Sequence, residues 1–381
     1  MDRVHQLRRA GSVFVLVVVG VAPLACGDEP AETGPDPAAS STSTAGTKNR
    51  ALVDNQVKAA MKDVAPDPAA TGQSQDGPPP KGIFASGEGA KALARDEKLS
   101  LIDAGAADGR RKVGTFGPKL EGVFGLQVAQ SSQPGGVRPV VDYTIRLATP
   151  EKEEAAAPAA SATAATAPPG PTSVRFTILK AAPAAQQPGQ IPAELGKVLA
   201  TVEGSRFDAQ VLPNGRLVAL KTTYAEKLEQ AGLREFVDIA RSALTLFFPP
   251  MPPEPVGTGG FWIIGDRADL KGMDMIRYRV TKLTEATDDE LTFELDVRHY
   301  VADPTQVPNL VRGQGLTAQA FEGPGKGLIK RRPNQFIPTM GEVVSQMVVY
   351  LAKAEQPEQA QPVQFSLRAR LAAAELKKAS D

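Results

Sequence analysis

The stretch FDAQVLPNGRLVAL, residues 207–220, carries the clearest structural signal in this chain. Every second residue from Phe207 to Val211 is apolar, and a further apolar run follows the turn. A period of two places alternate side chains on opposite faces of a β-strand. Asn214-Gly215 supplies the positive φ that a tight hairpin turn requires. The stretch therefore predicts an antiparallel β-hairpin.

The same alternation recurs along the chain and predicts further strands with one buried face. These strands lie at about 141–147, 174–178, 276–280, 293–297, 343–352 and 363–371.

One long helix is predicted between the strands, at about 223–248. Thr223 and Glu226 have the spacing of a capping box, and Pro249 ends the segment. An apolar stripe at helical spacing follows the cap and is expected to pack on the sheet: Leu228, Leu233, Phe236, Val237, Ala240, Leu244 and Phe247. The predicted fold class is mainly β (α+β), with one antiparallel, curved or half-barrel-like sheet packed by this helix.

The hairpin at 276–298 shows two distinct faces. Ile276, Tyr278 and Val280 point one way, and Arg277 and Arg279 point the other. In the second strand, Phe293, Leu295 and Val297 alternate with Glu294, Asp296 and Arg298. We expect the charged faces of both strands to be exposed to solvent, and their arginine and acidic side chains to pair across the strands.

The N-terminus reads as a secretory signal over residues 1–25. Three arginines precede an apolar run of about 13 residues, which is too short to cross a membrane as a helix. The ending Leu24-Ala25-Cys26 resembles the bacterial lipoprotein signal, in which a peptidase cuts before the cysteine and the thiol carries a diacylglycerol. In that pattern leucine stands three residues before the cysteine, a place that Pro23 occupies here. We expect cleavage after Ala25, lipidation of Cys26 and attachment to a membrane of a bacterial envelope, with the outer membrane as the expected one.

The rest of the chain divides by composition. Residues 26–80 form a tether rich in Pro, Ala, Ser and Thr, which cannot bury enough apolar area to fold. Residues 81–111 are expected to be an irregular lead-in. Residues 112–381 form the strand-rich globular domain, and the Ala/Pro run at about 153–171 is expected to be a disordered insertion joining two strands.

Composition excludes several kinds of chemistry. The chain holds 43 Lys+Arg and 43 Asp+Glu, so it has no electrostatic footprint for nucleic acid. Its one cysteine and the single histidine beyond the signal, His299, exclude His/Cys zinc clusters, thiol nucleophiles and internal disulfides. We expect no cofactor and no metal.

Four segments remain as candidate sites. His299 continues the apolar face of its strand near the strand end, and we interpret it as a hydrogen-bonded boundary residue rather than a catalytic base. Asp288, Asp289 and Glu290 are oxygen ligands of the kind calcium takes, but three adjacent acids favour a solvated turn. The basic residues Lys326, Lys330, Arg331 and Arg332 favour a solvated strand end. The glycines at 257–260 lead into a strand, which favours a tight turn rather than a phosphate loop.

The segment PPEPVGTGGFW, residues 252–262, follows the predicted helix and precedes a strand hairpin. With this segment in this position, the chain resembles uncharacterised secreted lipoproteins of myxobacterial type, which share a Pro-rich Val-Gly-x-Gly-x-x-Trp segment. The resemblance covers about residues 112–376 and implies a lineage and a location without an activity. Physically, the glycines permit a tight turn and Trp262 anchors the new strand in the core.

Three function classes follow. The first is a lipid-anchored envelope protein with a non-catalytic binding or interaction role and a protein or apolar-ligand partner. The second is a carrier of an apolar ligand, such as a lipid or a lipoprotein chain, in a half-barrel cavity. The third is a carboxylate-dependent hydrolase. We favour the first, because the mature chain lacks most catalytic residue types, and so expect no enzyme.

Overall fold

The computed structural model describes residues 79–89, 98–114, 116, 120–134, 136–150, 170–184, 193–228, 231–270, 272–305, 308, 311 and 313–373. The signal, Ala25, Cys26, the tether before residue 79 and nearly all of the 153–171 insertion lie outside these residues. The described strands are β1 (Lys98–Asp103), β2 (Gly122–Gln133), β3 (Gly136–Val137), β4 (Val141–Ala148), β5 (Thr172–Pro183), β6 (Arg206–Val211), β7 (Leu217–Thr223), β8 (Phe261–Leu270), β9 (Met273–Ala286), β10 (Leu291–Val301), β11 (Leu316–Glu322), β12 (Pro324–Arg331), β13 (Met340–Lys353) and β14 (Gln361–Ala373). The helices are α1 (Ala193–Ala200) and α2 (Ala231–Leu246).

All fourteen strands belong to one antiparallel sheet. Its hydrogen-bonded order is β1-β8-β9-β10-β12-β13-β14-β2-β4-β5-β6-β7, with β11 beside β13 and β3 beside β2. The C-terminal strand β14 joins β13 on one side to β2 on the other. Among the described strands no pairing joins β1 to β7, so the sheet is open rather than closed into a barrel. The predicted fold class is confirmed.

The sheet curves around α2. Side chains from the inner faces of strands along the whole sheet form one apolar cluster with the buried face of the helix, which includes Val237, Ala240 and Leu244. The hydroxyl of Tyr143 on β4 donates to the carbonyl of Phe236 at 3.1 Å and ties the helix to the sheet. The predicted apolar stripe therefore packs as expected.

The predicted start of the helix is wrong. Thr223 belongs to β7 and pairs with Arg206 of β6, whereas α2 begins at Ala231. Strand pairing occupies the backbone of Thr223, so this residue is not available to begin a helix, and the local capping signal is overridden by the sheet.

The hairpin at 207–220 is confirmed. Gly215 has a φ of +81°, and its amide donates to the carbonyl of Leu212 at 2.8 Å. The side chain of Asn214 accepts a hydrogen bond from the amide of Arg216 at 3.1 Å. The turn joins β6 to β7, which is one edge of the sheet.

The segment at 81–111 is less irregular than the sequence predicts. It contains β1, which pairs with β8 at the other edge of the sheet. Its earlier part, with Phe84, packs on the outer face of β8–β10 against Ile276, Tyr278 and Val280. Both β1 and the segment around Phe84 are short, so any alternation of apolar residues in them is too brief to be recognised in the sequence. The consequence is that β9 is covered on both faces.

The segment at 257–260 forms a turn, as predicted. Gly259 has a φ of +88°, and the amide of Gly260 donates to the carbonyl of Gly257 at 3.0 Å. Trp262, the second residue of β8, follows with 0% of its surface exposed. Its indole N–H donates to the carbonyl of Pro250 at 2.9 Å, and its ring meets Phe293 edge-on. The predicted anchoring role of Trp262 agrees with this geometry.

Candidate ligand-binding cavity

A cavity of about 460 Å³ lies between α2 and the inner face of the sheet. Its wall takes residues from β7, α2, β8, β9, β10, β13 and β14, so strands near both edges of the sheet border the same space. The volume falls in the range of about 300–1,000 Å³ that is typical of small-molecule sites.

Strand register places a charged cluster inside this cavity. Asp266 of β8 lies opposite Arg277 of β9, which lies opposite His299 of β10. Arg279 occupies the next inward position of β9, opposite Val297. Directly opposed residues share a face of the sheet, so the two arginines point to the same side as the apolar face of β10.

The expectation of a wet arginine face is therefore wrong. Arg277 is 7% and Arg279 3% exposed, and both donate to Asp266 of β8. Outside the cavity, Asp296 and Arg298 make an ion pair with each other at 3.0 Å. Residues 79–89 pack on the face of β9 that carries Ile276, Tyr278 and Val280, so both faces of this strand are buried. The alternation of residue types therefore could not show which face points into the cavity.

Asp266 holds the two arginines together. Arg277 donates through Nε at 2.9 Å and through Nη2 at 2.5 Å, and Arg279 donates through Nη2 at 3.0 Å. Burial alone would raise the pKa of Asp266, but the charges of both guanidiniums and the hydrogen bond from Arg277 outweigh it and lower that pKa. The carboxylate therefore stays ionised.

His299 adds no charge to the cavity at neutral pH. Its Nδ1 lies 3.3 Å from the carbonyl oxygen of Gly323. Burial, and next the charge of Arg277, lower the pKa of His299 to about 4. The interpretation of His299 as a hydrogen-bonded residue agrees with this contact, although it lies inside the cavity wall rather than at a boundary.

The cavity does not form a serine triad. His299 makes no hydrogen bond to Ser345 or to Asp266 among the described contacts, and the carboxylate of Asp266 is held by arginines instead. A triad needs the base within hydrogen-bond reach of both the nucleophile and the orienting acid. The described contacts therefore do not assemble a Ser-His-Asp triad in this cavity.

Ser345 is a buried hydroxyl in the cavity wall. It is 3% exposed, and its Oγ has no hydrogen-bond partner among the described residues. Ser345 lies opposite Gly325 of β12, and a Cβ at Gly325 would stand only 3.2 Å from this Oγ. The missing side chain at Gly325 therefore lets the hydroxyl lean over β12 toward β10.

The remainder of the wall is mixed. Three more arginines line it, and two of these are held by acids outside the lining: Arg267 by Asp274, and Arg241 by Asp238 at 4.0 Å. Apolar side chains supply much of the rest: Leu217, Val218, Leu220, Leu246, Phe248, Met347 and Leu367. The cavity is thus amphiphilic, with a basic part and an apolar part.

The other sequence candidates lie elsewhere. Asp288 and Glu290 occupy a turn on the surface, where Asp288 lies 3.4 Å from Arg111 and Glu290 lies 2.7 Å from Lys330. No group of three or more His, Cys, Asp or Glu side chains in the described part of the chain is placed to hold a metal ion.

Of the basic residues at 326–332, Lys326 and Arg332 are exposed as predicted, but Arg331 is not. Arg331 points inward and is 5% exposed. Its Nη2 donates to the carbonyl of Val113 at 2.5 Å, and its guanidinium lies over the rings of Phe116 and Phe293. Burial lowers the pKa of Arg331 to about 9. The alternation of β12 places this residue on the inner face, so the prediction of a solvated strand end fails for Arg331.

The residues that the sequence missed are Asp266, Arg277, Arg279 and Ser345. One signal was present: Asp266 continues the alternation of Trp262 and Ile264, so an acid stands in phase with core residues. No comparable signal marks Ser345.

Comparison with known proteins gives no family assignment. The chain matches no family model and no curated protein sequence. The resemblance to myxobacterial lipoproteins therefore stays a prediction from the sequence. None of the helices in the described residues is both long and apolar enough to pass through a membrane.

Proposed function

We propose that this chain is a lipid-anchored bacterial envelope protein whose domain binds a small apolar ligand without chemical turnover. The observation that carries the proposal is the cavity of about 460 Å³ between α2 and the curved sheet. This proposal combines the first two function classes, the non-catalytic binding protein and the carrier of an apolar ligand. We prefer the carrier, because the cavity provides a site where such a ligand could bind.

The size of the cavity limits the ligand. At about 460 Å³, the cavity lies in the lower half of the range of about 300–1,000 Å³ that is typical of small-molecule sites. A single acyl chain of moderate length fits this volume, whereas a whole diacyl phospholipid is too large. The apolar wall contributed by β7, α2, β13 and β14 would contact such a chain.

The test is copurification. The full chain with Cys26→Ser, purified from bacteria without detergent, should release one small lipid per protein on denaturation, as detected by mass spectrometry. Ser242→Phe, which places a ring in the cavity from α2, should lose that lipid, and Ser242→Ala should keep it. A chain that carries no lipid, and that binds no acyl compound added later, would contradict the carrier.

The anchor needs a separate test. Intact-mass measurement of the wild-type protein from membranes should show cleavage after Ala25 and a lipid-modified Cys26. Cys26→Ser should move the protein to the soluble fraction. An unmodified Cys26 would remove the anchor from the proposal and leave the cavity unaffected.

A further inference from the structure

We infer that the ligand carries an anionic oxygen head group, a carboxylate or a phosphate, which binds at the Arg277–Arg279–Ser345 part of the cavity. This inference rests on the proposed function and adds the chemical class of the ligand.

The first argument is the charge of the wall. Five arginines and one aspartate line the cavity, and His299 is neutral at pH 7. Asp238 and Asp274 lie beside Arg241 and Arg267, and the single lining carboxylate, Asp266, is shared by the two guanidiniums of Arg277 and Arg279. A wall of this charge favours an anion over a neutral molecule.

The second argument is the geometry of the arginine pair. Asp266 fixes Arg277 and Arg279 by three hydrogen bonds, so their positions are set before a ligand arrives. Asp266 takes the Nε/Nη2 edge of Arg277, so a ligand oxygen would meet other N–H donors of the two guanidiniums, each of which carries five. Because the pair is already ordered, little side-chain entropy is lost on binding.

The third argument is Ser345. A buried hydroxyl without a partner costs free energy, so its retention in the wall needs an explanation. Arg279, Val297, Gly325 and Ser345 form one row across four neighbouring strands, all on the inner face. Because Gly325 has no side chain, the hydroxyl leans toward the strands that carry the arginines. An oxyanion in this part of the cavity would accept a hydrogen bond from the Ser345 hydroxyl.

The fourth argument is the position of the apolar wall. Met347 and Leu367 lie on β13 and β14, and Leu246 and Phe248 lie on and just after α2. A head group at β9 thus leaves the tail against these side chains. The ligand class is therefore a single-chain amphiphile with an anionic head.

The experiment is calorimetric titration of the full chain with Cys26→Ser, stripped of lipid, with three ligands of equal chain length. Decanoate and decyl phosphate supply the two head groups, and decanol is the neutral reference. We expect at least one anion to bind at least about tenfold more tightly than decanol, since charge-assisted hydrogen bonds are roughly twice as strong as neutral ones. The tighter of the two anions identifies the head group.

Two variants locate the head group. Arg279→Met should lower the affinity for the preferred anion by about tenfold or more and leave decanol unchanged. Ser345→Ala, which removes only an unpartnered hydroxyl, should fold normally and lower the anion affinity by about threefold or more. Ser173→Ala, an exposed serine on β5, is the matched control and should change nothing.

The outcomes separate the two proposals. If decanol binds as tightly as both anions, the head-group site is wrong and the carrier stands. If none of the three ligands binds, the proposed function itself fails. If Ser345→Ala binds the anion as the wild type does, Ser345 has no part in the site.

Discussion

Replacing Asp266 with asparagine tests whether the charged cluster is organised as the structure indicates. The substitution keeps the shape of the side chain and removes the charge that faces Arg277 and Arg279, which are 7% and 3% exposed. Breaking a buried ion pair by removing one partner costs about 3–5 kcal/mol, because it leaves an uncompensated buried charge. Asparagine retains one acceptor oxygen, so we expect a loss near the lower end, about 3 kcal/mol.

The assay is urea unfolding followed by the fluorescence of Trp262, the single tryptophan of the chain and a buried residue of the same strand. A shift of the midpoint at constant slope reports the change in stability. The matched control is Asp274→Asn, which removes the partner of Arg267 from a pair whose side chains are 27% and 35% exposed. This half-exposed pair should contribute no more than about 1 kcal/mol.

The pH dependence adds a second check. The pKa of Asp266 is lowered in the folded state, so its contribution is present above its ordinary pKa and is lost as the pH falls through the folded-state value. Wild type and Asp266→Asn should therefore converge in strong acid. If Asp266→Asn were no less stable than Asp274→Asn at pH 7, the cluster would not be organised around Asp266.

Three other predictions follow from the same interior. The folded-state pKa of His299 is about 4, against an ordinary value of 6.5, so the unfolded chain binds the proton first as the pH falls. The free energy of unfolding should therefore fall by up to about 3 kcal/mol as the pH drops from about 6.5 to about 4. His299→Gln should lack this pH dependence of the urea midpoint. Gly327→Ala should cost about 1–3 kcal/mol in the same assay, because the new Cβ would stand 2.9 Å from the carbonyl oxygen of Glu342. Deleting residues 153–171 should change the thermal midpoint by only a few degrees, since β4 and β5 pair directly.

Each of these has a contradicting result. Equal pH slopes for wild type and His299→Gln would show that the histidine protonates freely in the fold. Gly232→Ala, where a Cβ meets nothing within 4 Å, is the control for Gly327 and should be neutral or stabilising by up to about 1 kcal/mol; equal effects at both glycines would contradict the packing argument. Failure of the 153–171 deletion to fold would show that this segment is more than an insertion.

Period-two patterns predicted eight of the fourteen described strands, namely β4–β7, β9, β10, β13 and β14, whereas β2, β11 and the helix α1 were not predicted. The hairpin around Gly215, the strands at 276–297 and the anchoring of Trp262 all depend on local rules, namely turn geometry and the alternation of apolar residues. The start of α2 was missed, because pairing of β7 with β6 decides where Thr223 lies, and pairing is a long-range property.

The cavity was missed for a related reason. Alternation says that Arg277 and Arg279 share a face, but not which face is inside. The answer depends on residues 79–89, which lie almost two hundred positions away in the chain and cover the opposite face. Asp266 in phase with Trp262 was a usable signal, and an acid among core positions of a strand justifies a search for arginines on the neighbouring strands.

The position of β14 has a consequence for biosynthesis. Strands β2 to β7 pair among themselves, as do β8 to β13 with β1, and among the described strands only β14 links the two groups. β14 follows the other described strands in the sequence, so synthesis delivers it after them, and the hydrogen-bonded sheet cannot be continuous before it emerges. A stop codon before Gln361 should yield two separate sheets with exposed edges, which are templates for aggregation.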